Sequence, residues 1–126
     1  MKDELILSLR GEAIGSISSE SSSEEKFQNQ TLRPILKIQN DLFLLVFKNY
    51  TTKQKVDFSA FSPEKKMQFI ENAIQRDIKF RNSLKGMIIG FFTLLEYEEY
   101  ILNSSNLNKR MMNLLIERLK SQIQII

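Results

Sequence analysis

The side chains best equipped for chemistry fall in two basic clusters. One is Arg76-Asp77-Ile78-Lys79-Phe80-Arg81-Asn82-Ser83-Leu84-Lys85-Gly86, and the other is Asn108-Lys109-Arg110. Lys79, Arg81, Asn82, Ser83, Lys85, Asn108, Lys109 and Arg110 are the candidate binding residues within them. Guanidinium and ammonium groups beside the free N–H groups that open a helix are the parts of an anion site. Each cluster also has an ordinary explanation. Cations near a helix C-terminus complement its dipole, and Asp77 stands four positions before Arg81, the spacing of a helical ion pair. Positive charge in the first turns of the last helix opposes the dipole by about 0.3–1 kcal/mol. Either Glu98, Glu99 or an outside acidic partner would offset that cost. Should the fold bring Lys109 and Arg110 beside Arg81 and Lys85, the two signals become one stronger signal.

Catalysis has less to work with. The 126 residues include no histidine and no cysteine, the side chains that supply most near-neutral bases, nucleophiles and transition-metal ligands. Glu96 belongs to a capping box with Thr93, while Glu98 and Glu99 occupy neighbouring helical positions that point apart. No phosphate loop, dinucleotide fingerprint or nucleophile elbow is present, and the Gly86–Gly90 spacing reads as close helix packing. The expectation is no catalytic residue, no metal and no cofactor.

The elements that must position the clusters are helical. Phe27, Thr31, Ile35, Ile38, Leu42, Val46 and Tyr50 recur at three- and four-residue steps, the period of an amphipathic helix. Pro34 interrupts them, so the helix kinks there or a new one opens at Thr31. Leu42 to Phe47 is apolar all round and is expected to be the central helix. Thr51 to Phe61 reads as a loop. Ser62-Pro63-Glu64 opens a helix running to about Arg81. A break at Asn82-Ser83 precedes a short helix to about Gly90, Thr93 caps another to Leu102, and a last one covers about Asn106 to Gln124. Met112, Leu115, Leu119, Ile123 and Ile126 line that last helix. The fold class expected is an all-α, compact bundle of about five helices.

Length and composition fit one domain. Residues 1–23 read as a flexible amino-terminal tail with a serine-rich linker, since six of the eight residues from Ser16 to Ser23 are serine. Residues 24–126 form the helical domain. Residues 1–30 carry three basic and six acidic side chains, a charge of −3, and residues 31–126 carry fifteen and nine, a charge of +6. The domain is thus mildly basic, which permits an anionic partner. Met87 to Leu95, the most apolar stretch, is far short of the ~20 residues a membrane span needs. With no cysteine and no secretory pattern at Met1-Lys2-Asp3-Glu4, a cytoplasmic protein without membrane contact is expected.

The runs Asn29-Gln30-Thr31-Leu32-Arg33-Pro34-Ile35-Leu36-Lys37, Asp77-Ile78-Lys79-Phe80-Arg81-Asn82-Ser83-Leu84-Lys85-Gly86 and Leu107-Asn108-Lys109-Arg110-Met111-Met112 together resemble a small family of bacterial proteins that often carries the name glyoxalase. The similarity covers about residues 26–122 and implies a helical domain. Glyoxalase chemistry itself uses histidine-bearing metal sites, which this chain cannot build.

The function expected is a non-enzymatic helical domain that binds another protein through the two basic clusters. A basic RNA- or ribosome-associated factor and a glyoxalase-type enzyme are the alternatives, and a homodimer through the apolar central helix is compatible with each. A DNA-reading helix-turn-helix over Leu84–Leu102 is excluded. Its second helix offers Glu96, Glu98 and Glu99 and no cation to DNA phosphates.

Overall fold

The structure, a computed structural model, describes residues 1–18 and 21–126. It is all-helical, with no strand among the described residues. The helices are α1 (Lys2–Arg10), α2 (Ser23–Phe27), α3 (Arg33–Ile38), α4 (Asn40–Lys53), α5 (Pro63–Arg76), α6 (Ile78–Ile89), α7 (Leu94–Ile101) and α8 (Ser104–Lys120). A π turn over Gln28–Leu32 joins α2 to α3, and 3-10 turns occupy Phe58–Ala60 and Ile123–Ile125. The bundle therefore exceeds the five helices expected, for two reasons that lie at its amino-terminal end.

The first reason is Pro34. Its sequence position suggested a kink or a new start, yet Leu32 and Arg33 both keep helical dihedrals and the chain runs on through the π turn. The Arg33 N–H reaches back to the Gln28 carbonyl, and Pro34 has no N–H to give. The Asn29 carbonyl thereby loses both possible helical donors, and the Gln30 carbonyl loses its donor four residues on. Backbone carbonyls freed in this way take other donors. The Ile14 N–H supplies one to Asn29 O at 2.9 Å, and Arg10 Nη2 supplies the other to Gln30 O at 3.1 Å. The sharp bend of this long helical arm falls later, at Gln39 (φ −94°, ψ 6°).

The second reason is α1 itself. The tail expected to be flexible is a helix docked on the body. Ile6 and Arg10 are buried, and Asp3 accepts from the Leu94 N–H that opens α7. Gly11 and Gly15 take positive φ values of +74° and +103°, the region glycine occupies without steric cost. At Gly15 a Cβ would stand 2.9 Å from the Asn29 side chain, so the turn back onto the π segment requires glycine. The serine-rich linker falls partly on residues 19 and 20, outside the described residues. Beyond them Ser22 caps α2 by accepting from the Glu25 N–H at 3.1 Å.

Two further expectations change. The segment from Leu42 to Phe47 is not buried all round: Phe43 and Phe47 face the core, while Leu45 is 66% exposed and Leu42 41%. The central helix is α8, which packs on α5, α6, α7 and the π turn and completely buries Met111, Leu115 and Leu119. It ends at Lys120 rather than Gln124. The break expected at Asn82-Ser83 lies instead at Asp77, whose extended backbone (φ −85°, ψ 98°) ends α5 and whose carboxylate accepts from the Phe80 N–H at 3.1 Å to open α6. A short acid capping a helix start outcompetes the amide and hydroxyl five residues on. The glycine pair serves no close helix approach at Gly86, where nothing lies within 4 Å of the Cβ position.

The aromatic half of the core centres on Phe47. It meets Phe58 edge-on at 5.3 Å and Phe69 at 6.1 Å, with Tyr50 and Phe80 at 6.4 and 6.5 Å. Edge-to-face contacts of this kind add to the burial energy. Together they fix α4, α5, α6 and the Phe58 turn against each other.

Candidate functional site

Moving the helix break back to Asp77 decides the geometry of the basic cluster. Arg81 and Lys85 now sit four residues apart on one continuous helix, and so share a face. That face looks across a cleft at α8, which presents Ser105, Lys109 and Asn113 at the same four-residue step, with Asn108 and Met112 beside them. Gln75 and Ile74 of α5 close the third side, and the cleft measures about 500 Å³.

Its electrostatics are one-sided. Arg81, Lys85 and Lys109 line the cleft and no carboxylate does. The helical ion pair open to Arg81 does not form. Asp77 spends its oxygens on the Phe80 N–H and on the Tyr50 hydroxyl, at 3.1 and 2.8 Å, and Arg81 Nη1 donates to the Gln75 carbonyl at 2.7 Å instead. Neither Lys85 nor Lys109 has an ion-pair partner among the described residues. The Tyr100 hydroxyl donates to Asn108 Oδ1 at 2.6 Å and so orients that amide from α7. Ile74 and Met112 are buried and give the cleft an apolar floor.

The eight candidate residues thus divide. Arg81, Lys85, Asn108 and Lys109 meet in one place. Arg110 turns away, donating to Gln28 Oε1 at 3.0 Å and standing 3.8 Å from Glu24, so the compensating acid comes from α2 and not from Glu98 or Glu99. Lys79 lines a different cleft, of about 620 Å³, with Tyr50, Arg76 and Asp77. Asn82 and Ser83 are exposed on α6 outside both clefts. Gln75, Ser105 and Asn113 line the cleft without being among the candidate binding residues. The last two share the face of Lys109, four residues either side of it on α8.

The second cleft holds a polar pair with a structural explanation. Tyr50 stacks on Phe80 with ring centroids 3.9 Å apart while its hydroxyl donates to Asp77. Burial, then that hydrogen bond and the Asp77 charge, push the Tyr50 phenol up to about 12. The Phe80 N–H and then the Tyr50 hydroxyl hold the Asp77 carboxyl below its ordinary value. Both groups are thereby locked in their neutral-pH charge states, the reverse of what an acid–base catalyst needs.

Among the described residues, no three acidic, histidine or cysteine side chains are grouped to hold a metal ion. No helix among them is long and apolar enough to cross a membrane. No family model, curated protein or solved structure matches this chain.

Proposed function

We propose that this chain is a non-enzymatic, macromolecule-binding helical domain that receives an acidic segment of a partner protein in the cleft between α6 and α8. The observation that carries this reading is the convergence of Arg81, Lys85 and Lys109 on one cleft with no carboxylate in its wall. Such a cluster repels itself until an anion arrives, and it steers oppositely charged partners by long-range attraction. The guanidinium offers a planar fork to a carboxylate, and the two ammonium groups act as mobile point charges. The alkyl stems of Lys85 and Lys109, with the edge of Met112 between the helices, favour a segment that carries an apolar side chain beside its acids. This is why a protein segment is preferred to a bare polyanion.

The test is fluorescence anisotropy with two probes of equal negative charge, an acidic peptide containing leucine or phenylalanine and a single-stranded RNA. The expected result is that the peptide binds and that the double charge reversal Lys85→Glu and Lys109→Glu abolishes binding while circular dichroism stays unchanged. Tighter RNA binding, falling steeply with salt as phosphate contacts require, would replace this reading with an RNA-associated one.

A further inference from the structure

The outward face of α7 is apolar and uncovered. Leu94 is 75% exposed, Leu95 74% and Leu102, which ends the helix, 85%, with Tyr97 and Ile101 also open to solvent. Leu94, Glu98 and Leu102 follow one another at four-residue steps and form a ridge, with Leu95 and Ile101 on its flanks. Single exposed leucines are ordinary, whereas a contiguous group rimmed by polar residues marks a contact surface.

The ridge is also acidic. Glu98 stands at its centre and Glu99 at its edge, and neither enters an ion pair among the described residues. Asp3 of α1 brings a further carboxylate to its start, accepting from the Leu94 N–H at 3.2 Å. Between Lys85 and Lys109 the sequence holds no lysine or arginine. Whatever covers the ridge must therefore bring apolar surface and positive charge together. A two-fold pairing of ridge with ridge fails that requirement. Leu94 and Leu102 lie equally far from Glu98, so the two copies of Glu98 would meet at the centre of the contact, a like-charge opposition that disfavours it.

The cleft between α6 and α8 has the matching properties. Its α8 wall, Ser105, Lys109 and Asn113, is a row of the same eight-residue length as the ridge, about 12 Å. It carries a cation at its centre where the ridge carries a carboxylate. Arg81 and Lys85 add charge from the opposite wall, and the lysine stems offer apolar contact to leucine. The two surfaces are separate on one molecule. No α7 residue lines the cleft, and Glu98 lies about 200° round the helix from the buried Tyr100, whose hydroxyl meets Asn108 of α8. The ridge thus faces away from α8 of its own copy. Given the reading of the cleft as a groove for an acidic segment with apolar side chains, we infer that its partner is a second copy of this chain. The α7 ridge of one copy enters the cleft of the next, with Glu98 against Lys109. Such a head-to-tail contact leaves a free ridge at one end and a free cleft at the other, so copies add in series.

The experiment is sedimentation velocity of the full chain across a concentration series. It compares the wild type, a ridge variant with Leu94→Gln and Leu102→Gln, and a cleft variant with Lys85→Glu and Lys109→Glu. The wild type is expected to gain mass with concentration beyond that of two chains, and each variant alone to stay monomeric. An equimolar mixture of the two variants holds one intact ridge and one intact cleft per pair, so its mass should stop at two chains. Should the ridge variant fail to fold, Glu98→Lys measured alone should be monomeric in its place. A wild type that stays monomeric up to about 1 mM overturns the inference. So does association that the cleft variant keeps, which would set ridge against ridge, and so does association that the ridge variants keep. Anisotropy of the acidic peptide with the ridge variant reports on the cleft alone. Peptide binding without wild-type association removes the second copy and leaves the cleft reading in place, whereas absence of both removes both.

Discussion

Arg10 and Glu96 stand 86 positions apart in the chain and meet through two hydrogen bonds, of 2.5 and 2.7 Å. Glu96 is the acid of the capping box that opens α7, accepting from the Thr93 N–H at 2.8 Å, and it also accepts from the Thr31 hydroxyl at 2.6 Å. One carboxylate thereby ties α1, the π turn and α7 together. The same guanidinium caps the Gln30 carbonyl left open by Pro34 and the Phe91 carbonyl near the end of α6. A local cap legible in the sequence is thus the hub of a long-range network.

Removing Arg10 should therefore cost far more than a surface ion pair. The Arg10 side chain is 2% exposed and that of Glu96 16%, and a buried pair broken on one side loses about 3–5 kcal/mol. Arg10→Met is expected to lower stability by that amount in urea unfolding. The acid limb should change as well. Burial would raise the Glu96 pKa, but the Arg10 and Thr31 hydrogen bonds, the Thr93 N–H and the Arg10 charge outweigh it and hold the carboxyl low. A folded pKa below the unfolded one gives stability that is present above the unfolded value and lost as pH falls through the folded one. In Arg10→Met the stabilisation from this carboxylate should begin to fail at a higher pH than in the wild type. Equal acid limbs in the two proteins would show that Glu96 does not depend on Arg10.

Tyr50 sets the alkaline limb in the opposite sense. Its phenol is raised from 10.0 to about 12 in the folded chain. A group whose folded pKa is raised stabilises below its unfolded value, and that contribution is lost as pH rises from 10 towards 12. The tyrosine absorbance titration should show Tyr50 ionising late, near unfolding, with Tyr100 also displaced upward by its burial. Tyr50→Phe should abolish that late step and let the Asp77 carboxyl return upward. A Tyr50 that ionises at the ordinary tyrosine value of about 10 would contradict the geometry.

Phe47 is the residue whose loss should be felt most in the core. It is completely buried at the meeting point of four other aromatic rings, and truncation of such a side chain costs about 3–5 kcal/mol. Phe47→Ala should lose that much, whereas Leu45→Ala, on the exposed side of the same helix, should change stability by less than about 0.5 kcal/mol. Comparable losses at the two positions would mean that the outward face of α4 is covered.

How far the sequence carries depends on the range of the interaction. The helical class, the Thr93–Glu96 box and the Ser62 cap rest on neighbours within one turn, and each stands in the structure. The stripe of Met112, Leu115 and Leu119 on α8 is equally local, and all three are buried. What failed was decided across the chain. No pattern near Pro34 reveals that Ile14 and Arg10 will satisfy the carbonyls it frees. The six apolar residues from Leu42 to Phe47 look alike until the partner helices choose which side they cover. The break at Asp77 was misplaced because aspartate, asparagine and serine are all good caps. Tyr50, 27 positions upstream, is bonded to the one that capped.

That misplaced break also supplies the sharpest test of the cleft. With Arg81 and Lys85 on one helix four residues apart, the molecule carries a like-charge pair of the kind that destabilises a helix by about 0.2–0.5 kcal/mol. Lys109 adds a third cation from α8. If these residues served the fold alone, neutralising one would cost stability or leave it unchanged. A cluster kept for a ligand behaves in the opposite way, because stability is given up where function needs strain. Lys85→Gln is expected to raise unfolding free energy by a few tenths of a kcal/mol and to weaken the acidic peptide at the same time. The two measurements must move in opposite directions. A variant that loses both would assign Lys85 to the scaffold, and one that gains stability with unchanged peptide affinity would leave the cleft without its proposed ligand.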